Sequence, residues 1–296
     1  MFVVLGASGK AGYTTVTALR RAGKSVRAVV RDEAKAQPLS ALGCEIAVAD
    51  VQNAATLARA MEGATAIQVI CPVNPKAEDA AGEMLRSIDA IGQALEAVRP
   101  ARVLAISDYG AELETGTGVT RLFHELEKRL KHLQSHVTFL RSAEHMQNWG
   151  RVLNMAARTG SLPSLHQPLD KVFPTVSAFD VGAVSADLLL EPIDAGSSSR
   201  VVHVEGPQRY TATDVASTAA ELLGREVRAY AIPRSEWEET LRRGGLNDSY
   251  ILLVTELFEA HNAGRIDAEP GAGPIRKGQT KLADALRPLT AALGTH

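Results

Sequence analysis

The stretch Phe2-Val3-Val4-Leu5-Gly6-Ala7-Ser8-Gly9-Lys10-Ala11-Gly12 leads from an apolar strand-like run, through a turn with glycine at every third position, into an amphipathic segment reaching about Ala22. A pyrophosphate needs backbone that approaches without a Cβ in the way. It also needs unpaired N–H groups at the positive end of a helix dipole. Strand, glycine turn and helix in this order supply both, and a second strand candidate, Ser25 to Val30, stands where a dinucleotide site requires one. Gly6, Ala7, Ser8, Gly9, Lys10, Ala11 and Gly12 are therefore expected to cradle the phosphates of a nucleotide.

Outward from that turn, short β-branched runs alternate with longer amphipathic stretches, the pattern of parallel βαβ units. Further strands are expected at Glu45 to Val48, Ala66 to Ile70, Arg102 to Ile106 and Val137 to Leu140, and helices at Lys10 to Ala22, Ala54 to Met61, Ala77 to Val98 and Arg121 to Leu133. Several strands are apolar on both faces, as strands between two helix layers should be. The expected fold is α/β, a doubly wound parallel sheet of the Rossmann kind over residues 1–150, with a smaller α+β carboxy-terminal lobe over 151–296. Arg200 to Val204 is the best later strand candidate and a possible return to the main sheet. A Thr hydroxyl within Thr211-Ala212-Thr213 is placed to cap a helix running to Leu223, which Gly224 ends. Leu162 to Pro168 reads as a connector. Asp267 to Gly278, with Pro270, Gly271, Gly273, Pro274 and Gly278, reads as irregular, either a surface loop or a lid.

Composition narrows the function. The 296 residues are 45% hydrophobic and 22% charged, a globular balance. Lys plus Arg number 32 against 34 Asp plus Glu, and aromatics are only 4%, so the overall charge does not favour nucleic acid and aromatics for base stacking are few and scattered. No apolar run approaches the roughly 20 residues of a membrane span, and the opening residues lack the basic start of a signal peptide. A cytoplasmic protein acting on a small molecule is the expectation. Cys44 and Cys71 are too few for a disulfide framework and read as small buried hydrophobes. His132, His136 and His145 show no metal spacing, so no metal is expected, and Ser8 and Ser107 lie in no GxSxG elbow.

Two positions refine the nucleotide. At the end of the second strand, an acidic residue would bond the ribose of NAD, whereas an Arg would take the 2′-phosphate of NADP. Here Arg31 stands there, followed by Asp32, with Lys35 and Lys10 available to add charge. Its planar fork suits a phosphate, so NADPH is expected over NADH, with Asp32 the residue able to soften that preference. After the third strand, Asp50 can accept from the adenine amino group with Val51 against the ring; alternatively, Asp50 caps the helix starting near Ala54. Cys71 and Pro72 follow the fourth strand, on the path toward the nicotinamide.

The spacing GxxGxxG, rather than GxGxxG, points toward short-chain dehydrogenases/reductases. Together with Val30-Arg31-Asp32, Ala49-Asp50-Val51, Ile106-Ser107-Asp108-Tyr109-Gly110-Ala111, Thr138-Phe139-Leu140-Arg141, Met146-Gln147-Asn148 and Glu205-Gly206-Pro207, it resembles the NmrA-like atypical members of that group. The likeness runs to about Pro233 and is closest to the branch of type-two NAD(P)H:quinone oxidoreductases and triphenylmethane reductases. The resemblance implies NADP(H) along the carboxyl edge of the sheet and a lobe closing over a flat or small substrate. It implies pyrophosphate contact at the glycine turn, 2′-phosphate contact at Arg31, adenine at Asp50 and Val51, and Asn148 near the substrate cleft.

Departures from the pattern matter as well. Short-chain reductases protonate their substrate with the Tyr of YxxxK, yet none of Tyr13, Tyr109, Tyr210, Tyr230 or Tyr250 has Lys four residues later. Matching Glu127 and Arg141 to the family pattern puts Phe123 at the Lys position. Asp108 replaces the second Ser of the family's Ser-Ser pair, leaving Ser107. Tyr109 and His124 remain as candidate proton donors, each with packing or surface placement as the alternative. Glu127 and Lys131 read as a solvated i,i+4 pair. Met146, Trp149, Phe173 and Phe179 are apolar residues near the junction of the lobes, able to line an aromatic-substrate pocket or to pack as core. The expected activity is NADPH-dependent transfer of hydride to a quinone-like or other conjugated acceptor, which requires little acid catalysis. The rival expectation, motivated by the missing Tyr and Lys, is a non-catalytic NADP(H) sensor.

Overall fold

The chain is seen in a computed structural model that describes residues 1–193 and 198–293. The end of the second expected unit, 294–296, lies outside those residues. Its first half runs β1 (Phe2–Leu5), α1 (Lys10–Arg21), β2 (Val26–Val30), α2 (Gln37–Ala41), β3 (Glu45–Val48), α3 (Ala54–Met61), β4 (Ala66–Val69), α4 (Ala80–Val98), β5 (Arg102–Asp108), α5 (Val119–Leu130) and β6 (His136–Ser142). Then come β7 (Glu144–His145), α6 (Gly150–Thr159), β8 (Ser161–Ser164), β9 (Thr175–Val176), α7 (Ala178–Leu190), β10 (Ser199–Glu205), α8 (Ala212–Leu223), β11 (Arg228–Ala231), α9 (Trp237–Arg243), α10 (Asp248–Asn262), β12 (Ile275–Lys277) and α11 (Leu282–Ala291).

Eight strands form one sheet in the order β12-β10-β6-β5-β4-β1-β2-β3, every pair parallel. Strand order reverses between β1 and β4, which opens a crevice at their carboxyl ends, the place where doubly wound sheets bind ligands. Helices cover both faces. α3, α4 and α5 bury Met61, Met84, Ile91 and Leu126 on one side, and α1 and α7 bury Val16, Leu19 and Val181 on the other. α1 and α7 approach closely because residue 182 is glycine: a Cβ there would lie 2.3 Å from the Ala11 carbonyl oxygen. Thr15 Oγ1 donates across this contact to the Gly182 carbonyl at 3.0 Å.

A third apolar cluster, built by α6, α8 and α11 around Met146, Trp149, Phe173 and Tyr210, lies in the second half of the chain. That half also returns two strands to the sheet. β10 was anticipated at Arg200 to Val204; β12 was not. Ile275–Lys277 pairs with β10, so Asp267 to Gly278 is not irregular throughout. Glycine permits the approach: a Cβ at Gly273 would fall 1.9 Å from the Val201 carbonyl oxygen. Likewise Leu162 to Pro168 opens with β8, paired to β11, and is not a plain connector. Both strands escape the sequence because they are short and their hydrogen-bond partners are remote. Thr211 caps α8 with Asp214 in a reciprocal capping box, and Gly224 ends it at φ +63°.

Candidate functional site

The first wall of the crevice is the glycine turn. Gly6 has φ +68°, a conformation open to glycine, and a Cβ there would press on Ile70 at 3.1 Å. A Cβ at Gly12 would lie 2.3 Å from the Gly6 carbonyl oxygen, so glycine is what lets α1 start against the turn. Gly9 is different. Its φ is −79° and an added Cβ would meet nothing closer than 3.4 Å, so the chain itself does not demand glycine there. What glycine leaves at that exposed position is unshielded backbone, and a bound phosphate would use it. No side chain caps α1, and its first intrahelical bond is donated by Tyr13 to Gly9. The N–H groups of Lys10, Ala11 and Gly12 are thus left without intrahelical acceptors at a helix N-terminus, the chemistry that suits an anion. The residues present fit a dinucleotide pyrophosphate.

Arg31 leaves the end of β2 exposed, with no ion-pair partner among the described residues. Asp32, the expected competitor for a ribose, turns its carboxylate to cap the next turn, accepting from the Ala34 N–H at 3.0 Å. Lys10 and Lys35 are also exposed. Asp50 accepts from the Gln52 N–H at 3.0 Å, and α3 is capped by Asn53, which corrects the alternative that Asp50 caps that helix. Val51 lies beside it, half-buried. Cys71 is buried and its thiol is pushed up to about 12 by that burial, so it packs rather than reacts; Pro72 beside it is exposed.

The second wall is built by the ends of β5, β6 and β7. Ser107 is buried and donates to Glu127 Oε1 at 2.6 Å. Glu127 is not the solvated residue its spacing suggests. It is buried and held by Arg141 through Nε at 2.9 Å and Nη2 at 2.8 Å, while Arg141 Nη1 reaches Glu112 at 3.0 Å and Glu269 at 2.5 Å. One guanidinium thereby ties α5, β6, the loop after β5 and the segment before β12. Asp108 ends β5 half-buried and accepts from Thr120 Oγ1 at 2.6 Å. Burial first, then the nearby Glu144 and Glu112 carboxylates, push its carboxyl up to about 7 against that hydrogen bond. His145 Nε2 is 3.1 Å from Ser142 Oγ, and its imidazole is held toward the neutral form by burial, opposed by Glu144 and assisted by the Lys10 charge. Lys10 acting on His145 relates the two walls.

The proton donors expected from sequence fare differently from Asp108. Tyr109 is buried; its hydroxyl is 3.4 Å from Glu205 Oε2, and its ring stands edge-on to His203 at 5.3 Å. Burial and Glu205 both raise its pKa. His124 Nδ1 is 2.9 Å from the Ala111 carbonyl oxygen, a tie between α5 and the loop before it. Tyr109 thus packs in the core beside Glu205, and His124 ties α5 to a loop, the placements named as the alternatives to catalysis. Met146, Trp149 and Phe173 are buried in the third cluster, whereas Asn148 is exposed and hydrogen-bonded to Glu144. Phe179 stands 45% exposed at the start of α7.

Glu144 and two histidines were not legible as a group. His166 Nε2 is 2.8 Å from Glu144 Oε2, its ring stacks on Phe173 at 3.8 Å, and His261 meets it edge-on at 5.4 Å. Burial opposes ionisation of Glu144, but His166, His261 and Asn148 outweigh it and hold the carboxyl well below the usual range. Their positions, far apart along the chain, carry no spacing signal.

The profile of the NmrA-like family matches residues 1–282. The NAD(P)H azoreductase of Xenophilus azovorans is 25% identical over 275 residues, covering 91% of this chain and 92% of that protein. Quinone oxidoreductase 2 of Escherichia coli (strain K12) is 24% identical over 261 residues, 86% of each chain. Among solved structures, the triphenylmethane reductase of Citrobacter sp. superposes with a TM-score of 0.81 at 16% identity, over 98% of this chain and 99% of that one. The Escherichia coli NADPH-dependent quinone oxidoreductase complexed with NADPH gives 0.79 at 22% identity over the same shares. The profile takes in the glycine turn, both walls of the crevice and all eight strands of the sheet, and the chain belongs to the NmrA-like family.

Proposed function

We propose that the protein is an NAD(P)H-dependent oxidoreductase that binds NADPH in the crevice and reduces a small conjugated acceptor, a quinone or a dye. The observation that carries this is the glycine turn at Gly6 to Gly12 with, at the end of the adjacent strand, an Arg31 that has no ion-pair partner among the described residues, and Asp32 turned away into its own cap. Relatives named azoreductase, quinone oxidoreductase and triphenylmethane reductase support the same chemistry.

In this reading, the backbone of Gly6, Ala7, Ser8, Gly9, Lys10, Ala11 and Gly12 holds the pyrophosphate, and the Arg31 fork holds the 2′-phosphate. Asp50 and Val51 serve the adenine end. Cys71 and Pro72 line the path across the sheet, and Ser107, through Glu127 and Arg141, stiffens the far wall. When bound, the dinucleotide supplies the hydride. Residues after about 150, with β10 and β12 returned to the sheet, form the substrate lobe, and Asn148 borders its cleft.

Arg31→Ala should lower the preference for NADPH over NADH roughly 10- to 100-fold, the scale of one charge-assisted hydrogen bond of about 1.5–3 kcal/mol. Paired calorimetric titrations with the two dinucleotides measure it, and an unchanged ratio removes Arg31 from the site. The activity itself is read from the loss of reduced-nicotinamide absorbance across a panel of quinones and azo dyes. Turnover supports the reductase; tight binding of NADP⁺ with no turnover supports a sensor instead.

A further inference from the structure

We propose that the carboxyl group of Asp108 is the proton donor that completes reduction of the acceptor, in place of the tyrosine hydroxyl of a YxxxK pair. The inference rests on the reductase reading and goes beyond it by naming the acid.

Three placements carry it. First, β5 outruns its neighbour: its last pairing with β4 is Ala105 to Val69, whereas Asp108 pairs only with Ser142 of β6. At about 3.3 Å per residue, Asp108 stands roughly 10 Å above the rim of β4, on the wall beside the crevice. Second, the usual donor is replaced. With Phe123 at the Lys position, the Tyr position is Val119, which is buried in the core. The hydroxyl that this turn of α5 does carry, on Thr120, is spent on Asp108 Oδ2 at 2.6 Å, fixing the carboxyl in place. Third, the surrounding charges favour the protonated acid. Glu112 from the loop after β5 and Glu144 from β7 face it, and among the described residues no cation pairs with it. Beyond them, His145 bonds Ser142 and feels Lys10, while His166 and His261 act on Glu144. A carboxyl held near 7 is populated in both forms at neutral pH, which general acid catalysis requires.

The step balances for a conjugated carbonyl acceptor. When bound, the reduced dinucleotide would supply the hydride that bonds to the acceptor, and the C=O π pair would move onto oxygen. The Asp108 O–H bond breaks with its electron pair left on the carboxylate, and the proton closes the hydroxyl of the product. The two electrons that reduce the acceptor would come from the bound dinucleotide, and solvent would return the proton to Asp108.

Asp108→Asn keeps the shape and removes the proton. Wild-type kcat with a quinone should be level below about pH 7 and fall about tenfold per pH unit above it, because the acid must be protonated. D108N should lower kcat about a hundredfold, spare the KM for NADPH and lose the alkaline limb. Thr120→Val removes a hydrogen bond that favours the carboxylate, so it should shift that limb to higher pH. A readout without dinucleotide is the urea unfolding midpoint. The folded carboxyl lies above its ordinary value of about 3.9, so the stability tied to its protonated form is whole below about pH 4 and is lost as pH rises toward 7. D108N should therefore gain on wild type across that window. An active wild type whose D108N form keeps both kcat and the alkaline limb overturns the proposal alone, as does a midpoint difference that stays constant from pH 4 to 7. A wild type that binds NADPH and reduces no acceptor overturns the reductase reading and this one with it.

Discussion

Replacing Arg141 with Met should destabilise the protein by about 3–5 kcal/mol, the range for removing one partner of a buried ion pair. Arg141 is 5% exposed in its side chain and Glu127 12%, so Met would leave the Glu127 carboxylate in the interior with Ser107 as its remaining donor. Glu112 and Glu269 would also lose their shared cation, though at 23% and 37% exposure water recovers part of that loss. Lys at 141 should rescue only partly, because a point charge cannot grip both Glu127 oxygens as the fork does. Substituting Leu for Glu127 in the Met background should recover much of the loss by removing the stranded charge. Urea unfolding of the single and double variants measures each step. A cost under about 1 kcal/mol for the single variant would mean that water reaches Glu127 and the network is ornamental.

Gly12→Ala is expected to have the largest effect on binding. The added Cβ would lie 2.3 Å from the Gly6 carbonyl oxygen, 2.9 Å from the Gly6 carbonyl carbon and 3.0 Å from the Ala7 Cα, all backbone with no flexible side chain to yield. Either α1 moves away or the turn opens, and overpacking of this kind costs about 1–3 kcal/mol of stability. The N–H groups of the cradle then miss the phosphates by something like an ångström, enough for a loss of about a hundredfold or more in NADPH affinity. Gly9→Ala is the control: its Cβ meets no atom closer than 3.4 Å, so stability should hold while affinity falls. Calorimetric NADPH titration beside urea unfolding separates the two effects. Full affinity in the Gly12 variant would dismiss the cradle.

The first crossover was legible because all of its determinants are local. β1, the glycine turn and α1 sit within twenty residues, and β3 and α3 fell where alternation placed them. The Thr cap and Gly stop of α8 were equally local. Short elements were lost: β12 has three residues, all exposed, and is a strand only because β10 offers its edge. The site divides the same way. The glycine turn and Arg31 follow from motif and offset, but the i,i+4 spacing of Glu127 and Lys131 says nothing of which helix face the sheet covers, and Glu127 is buried against Arg141.

What the sequence by itself determined is therefore the α/β alternation, the glycine turn, the arginine at the end of β2 and the lack of a YxxxK pair, since each is a matter of neighbours along the chain. Only the tertiary structure decided that Asp32 is occupied by its own cap, that Tyr109 belongs to the core, and that Asp108, Glu144, His166 and His261 act on one another. Burial and through-space charge set those outcomes, and both depend on groups brought together from β5, β7, the segment after β8 and α10, which no local pattern can encode.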